Sequence, residues 1–245
     1  MKAMRGRSMR QCAFGFRTWG GARDGAGRKP KGTRAGVSHR QRPVHAKCHP
    51  LHVTLRVRSG LTALREHKLF LAVRRALVGG RARFGFRLVH FSVQRDHLHL
   101  LAEAANRRAL SRGVQGLSIR VARAVNRQLQ RRGKVFADRY HARALKTPRA
   151  ARWALRYVLL NVRKHERGAG TGTVPFGFID GCSSAAWFDG FARPAELVFG
   201  ARQCRQEFRA LHGLDSPVVA PRTWLLTVGH RRAGPFDVDE VPGHT

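Results

Sequence analysis

Acidic side chains are scarce in this 245-residue chain: 14 Asp+Glu stand against 48 Lys+Arg, a formal net charge of +34. Such an excess is far beyond what solubility requires and points to a polyanionic partner, whether for chemistry or for ribosome-like binding alone. The imbalance is uneven. Residues 1–170 hold 41 basic and 6 acidic side chains, and residues 171–245 hold 7 and 8, so the whole excess precedes the last segment. Arg far outnumbers Lys, and its planar fork suits bidentate phosphate contact.

Cysteine is sparse too. Cys12, Cys48, Cys182 and Cys204 show no Cys-x-x-Cys spacing, which excludes a zinc ribbon, indicates no disulfide framework and suits a reducing, intracellular setting. The longest apolar stretch in the helix-like regions, Trp153 to Val162, is interrupted by Arg156 and Asn161 and is too short to span a bilayer. Met1 to Gly20 is basic but has no apolar h-region, which argues against a secretory signal. Tyrosine is limited to Tyr140 and Tyr157, so a tyrosine nucleophile has two candidates.

Among the residues present, His97-Leu98-His99 stands out, because residues two apart on a strand share a face and two neutral imidazoles make half a metal site. Alone the pair reads equally as satisfied sheet histidines. Tyr157 and Asn161 sit four apart in a helix-like segment, placing a phenol and an amide on one stripe. That pairing favours Tyr157 over Tyr140, whose strand-like context suits packing or stacking against DNA.

Three regions are expected: a flexible basic arm over 1–49, a packed domain over 50–167 and an extension over 168–245. In the arm, Gly27-Arg28-Lys29-Pro30-Lys31-Gly32 has the character of a minor-groove hook or of a solvated linker, with Arg28, Lys29 and Lys31 as its DNA contacts. In the domain, Val53, Leu55 and Val57 alternate as a strand, and Leu61 to Val78 follow a helical spacing closed by Gly79-Gly80. Phe84–Val93 and His97–Glu103 form a hairpin, 107–132 a helix, Lys134–Lys146 an extended strand, and Pro148 opens a final helix running to about Glu166. The order strand, helix, strand, strand, helix, strand, helix predicts an α+β, ferredoxin-like antiparallel sheet of four or five strands with helices on one face, the last helix crossing over the histidines. In the extension, Trp187 and Trp224 read as core packing.

The segments Phe91-Ser92-Val93-Gln94 to His97-Leu98-His99-Leu100, Phe136-Ala137-Asp138-Arg139-Tyr140-His141 and Tyr157-Val158-Leu159-Leu160-Asn161 resemble the single-tyrosine HUH transposases of bacterial insertion sequences, and more narrowly the branch associated with repetitive extragenic palindromes. The resemblance implies a nuclease and strand transferase acting on single-stranded hairpin or palindromic DNA, with Tyr157 forming a 5′-phosphotyrosine. It implies a divalent ion, Mg²⁺ or Mn²⁺, held by His97, His99 and Asn161, where most of the wider family has glutamine in the last position. A bacterial, cytoplasmic, nucleoid-associated protein without membrane contact follows from the same reading, and the wider family includes dimers that share active sites.

A phenol is a poor nucleophile at neutral pH without assistance, which explains why a metal would accompany Tyr157. Arg107, Arg108, Arg112, Arg143, Arg149 and Arg152 are the candidate phosphate contacts within the domain. The competing function is a non-catalytic, domesticated DNA-binding protein of the same fold, which would bind DNA and form no covalent adduct.

Overall fold

In the computed structural model, the described residues are 43–164, 174, 177–192 and 216–243. Arg28, Lys29 and Lys31, and with them the basic hook, lie outside these residues.

Five antiparallel strands form one sheet in the order β2-β3-β4-β1-β5: β1 (Leu51–Arg56), β2 (Ala82–Arg83), β3 (Phe86–Val93), β4 (His97–Ala104) and β5 (His141–Ala144). Without the two-residue β2, this is the split βαβ arrangement expected from the sequence: β1 and β3 run the same way with β4 between them. β5 is shorter than the predicted strand. The stretch before it holds only an isolated bridge, from Phe136 to Val57.

Alternation along β4 divides the sheet into two faces. Leu98, Leu100 and Ala102 join Val53, Leu55, Leu88 and Phe91 in a fully apolar layer under α1 (His67–Val78) and α2 (Arg107–Gln128). α2 seats its stripe of Leu110, Val114, Leu117, Val121 and Val125 there, as the periodicity required, and Asn106 caps it by accepting from the Ala109 amide at 2.9 Å. Gly113 faces the Phe86 ring so closely that a Cβ would overlap it. α1 starts at His67, six residues later than its spacing suggested, because the Glu66 carboxylate caps the Lys68 and Leu69 amides.

His97, His99 and Leu101 point to the opposite face, which is covered by α3 (Pro148–Leu159) and by the C-terminal segment, so the helices lie on both faces and not on the one expected. Thr147 caps α3 and Pro148 occupies its first turn. The C-terminal segment is held by charge. Glu103 Oε1 accepts from the Arg222 and Thr223 amides and the Thr223 hydroxyl at 2.8, 2.7 and 2.9 Å, just before α4 (Trp224–Thr227). Arg156 pairs with Glu240 at 2.8 Å, and Arg163 with Asp239 at 2.6 Å. Trp187 packs against the core as expected. Trp224 departs from the expectation: it is 47% exposed, with the Arg232 guanidinium 5.2 Å from its ring centroid. Among the described residues no helix is long and apolar enough to cross a membrane.

Candidate active site

Register creates the site. β4 pairs His99 with Thr54 and Leu101 with His52 on β1, and β1 in turn pairs Thr54 with His141 and His52 with Arg143 on β5. One polar row, His99-Thr54-His141, therefore crosses three strands. A cavity of about 530 Å³ opens above it, lined among others by His52, Arg143, Arg149, Trp153 and Tyr157.

The two predicted histidines meet: His97 Nε2 lies 2.9 Å from His99 Nε2, with ring centroids 4.6 Å apart. Each has its other nitrogen anchored. His97 Nδ1 donates to Asp96 Oδ1 at 2.7 Å, and His99 Nδ1 lies 3.1 Å from His52 Nε2 and 3.3 Å from Thr54 Oγ1. Burial pushes the Asp96 pKa upward, but the hydrogen bond and charge of His97, with Arg56, hold it below the usual carboxylate range. A carboxylate on Nδ1 leaves the lone pair of His97 on Nε2, as outer carboxylates do for metal-bound histidines. Two imidazole lone pairs facing each other at this distance repel, and either a shared proton or a bound cation between them relieves the repulsion, so the pair is compatible with a divalent ion. No group of three His, Cys, Asp or Glu converges among the described residues. Further ligands to such an ion would be amide, water or substrate oxygens.

α3 delivers Tyr157 to this pair. Its ring centroid lies 5.0 Å from that of His99 and 5.7 Å from that of His52, both edge-on, and Lys164 Nζ sits 5.0 Å from the same ring. Tyr140 is buried in the opposite, apolar layer, so the two tyrosines are on different sides of the sheet. The single stripe expected for Tyr157 and Asn161 needs correction. α3 ends at Leu159, Leu160 leaves helical geometry at φ −111°, ψ 20°, and residues 161–164 start a new helical turn. Asn161 is fully buried with neither amide atom hydrogen-bonded among the described residues, and it is not among the residues lining the cavity.

Sequence reading missed His52, which touches both His99 and Tyr157. Burial, followed by the positive charge of His141 and Arg143, lowers its pKa to about 4, so it is neutral at neutral pH. The available signal was the His52-x-Thr54 alternation on β1, matching the period of His97-x-His99.

The arginines separate into three groups. Arg143 and Arg149 line the cavity, and Arg107 lines a second one of about 580 Å³ that shares His141 and Arg143 with the first. Arg108 and Arg112 are exposed on α2 and line neither. Arg152 is corrected as a phosphate contact: its guanidinium donates to the Gly234 and Pro235 carbonyls at 2.8 and 2.6 Å and pairs with Glu240.

The antiparallel sheet thus sets a histidine pair beneath a tyrosine carried by a helix. Residues 49–159 match the model of the family of IS200-like transposases. No curated protein matches the chain. Among solved structures, that of a REP-associated tyrosine transposase bound to a REP hairpin is similar at 15% identity and a TM-score of 0.44, covering 57% of this chain and 89% of that one.

Proposed function

We propose that the domain cleaves and rejoins single-stranded DNA, folded as a hairpin or palindromic repeat, through Tyr157. The observation that carries this reading is the approach of the Tyr157 ring to within 5.0 Å of His99, whose Nε2 faces that of His97. Tyr157 Oη attacks the backbone phosphorus, a 5′-phosphotyrosine bond forms, and the 3′ oxygen leaves and takes up a proton as a hydroxyl. The same hydroxyl, attacking in reverse, rejoins the strand and restores the phenol. His97 and His99 would hold a divalent ion, which supplies electrostatic polarisation of the phosphoryl oxygen when bound. Asn161 is the third ligand in this reading, supported by a buried amide whose hydrogen-bonding capacity nothing described satisfies. Arg143 and Arg149, on the cavity wall, hold the flanking phosphates, and Arg107 extends the track along β5.

Incubation with Mn²⁺ and labelled single-stranded hairpins, followed by denaturing gels, tests the reading. A covalent adduct is expected with the intact chain and with Tyr140→Phe, lost outright with Tyr157→Phe and lost on chelation. DNA binding without any adduct would favour the non-catalytic alternative and overturn the assignment.

A further inference from the structure

β2 and β3 are joined by two residues, Phe84 and Gly85, at φ 53° and φ 77°. Two consecutive positive φ values make the tight turn that suits a two-stranded twist, and its first central position favours Asn, Asp or Gly. An aromatic residue there is strained. Phe84 is moreover 66% exposed, outside both apolar clusters of the fold. The turn itself is firmly placed: the Ala105 amide donates to the Gly85 carbonyl at 3.0 Å, and a Cβ on Gly85 would meet those of Ala105 and Ala109. From α2 Arg112 lays its guanidinium 4.7 Å from the Phe84 ring centroid, and Arg108, one turn earlier, is exposed beside Arg112 on the same stripe.

We propose that Phe84 is a stacking platform for an unpaired base of single-stranded DNA, with Arg112 and Arg108 engaging the adjoining phosphates. Folding gains from a phenyl ring at this position only its contact with the Arg112 guanidinium, and water disfavours the remaining exposed face. A base face does gain: the π-surface away from Arg112 accepts any nucleobase, and the guanidinium behind the ring adds cation–π polarisation and a countercharge for the backbone. The chemistry selects unpaired DNA, since duplex pairs bury their faces in the stack. The inference rests on the reading that the chain acts on single-stranded DNA, and its test separates the two.

Binding of the full-length chain to a fluorescent single-stranded oligothymidine and to a matched duplex, both without added metal, provides the measurement. Phe84→Asn is expected to weaken single-strand binding about 5- to 150-fold, the range for loss of one stacked base. Duplex affinity should stay within about twofold. The same substitution should raise Tm by roughly 2–4 °C, because Asn suits the turn, so the lost affinity cannot be ascribed to misfolding. Phe84→Trp should restore binding. Arg112→Ala should lower the salt slope by about one, whereas Phe84→Asn leaves it unchanged. Wild-type single-strand affinity in Phe84→Asn, or an equal loss on duplex, overturns the platform. Failure of the unaltered chain to bind any single strand overturns the functional reading itself.

Discussion

The two faces of the sheet are built on different principles. The face under α1 and α2 is predominantly hydrocarbon, and most of its helix and strand residues declare themselves by period. The face under α3 carries His90, His97, His99, Glu103 and the row through Thr54, and its cover is fastened by ion pairs and caps between residues some 76 to 120 positions apart. Hydrophobic contact is non-directional and tolerates sliding, so it makes a scaffold. On the other face, ion pairs and caps add direction to the apolar packing that seats α3 and its tyrosine.

Breaking the polar cover should cost most. Glu103→Ala leaves Arg87, two backbone amides and the Thr223 hydroxyl without their shared acceptor in a nearly buried position, and a loss of about 2–4 kcal/mol is expected by denaturant unfolding. Limited proteolysis should then open residues 216–243 before the main sheet.

Acid should act on the same face. Burial, with His230 nearby, lowers the His90 pKa from 6.5 to about 3, so the unfolded chain binds the extra proton between those values. Stability is therefore complete above about pH 6.5 and falls as pH drops towards 3, by an amount on the order of a few kcal/mol. His90→Gln should flatten the dependence of Tm on pH across that window. A profile as steep as that of the unaltered chain would assign the acid sensitivity elsewhere.

The smallest of these effects belongs to the apolar face. Gly113→Ala forces a methyl into the Phe86 ring and should destabilise by about 1–3 kcal/mol in denaturant unfolding, with the strain confined to the α2 side.

This contrast also explains what could be read from the sequence. α2, the hairpin and the side-by-side histidines were legible because each rests on a local period. Tyr157 was favoured through its spacing to Asn161, which the structure places beyond the end of α3; its approach to His99 follows instead from α3 lying over that face. His52 was not legible, since a lone histidine on a strand acquires its role only when register pairs β1 with β4. The break at Leu160 has no proline or glycine to announce it, so the Tyr157–Asn161 spacing looked like one continuous helix. Arg152 read as one more cation because its partners, Gly234, Pro235 and Glu240, lie more than 80 residues away.

Those distant acids have an effect beyond fastening. Glu240 and Asp239 act as built-in counterions for Arg152, Arg156 and Arg163, three cations borne by the tyrosine helix and the turn after it. Arg149, on the cavity wall, and Lys164, over the Tyr157 ring, have no such carboxylate among the described ion pairs. In a chain of net charge +34, local neutralisation is what gives the helix an electrical front and back. An approaching polyanion is drawn to the front, where the phenol stands.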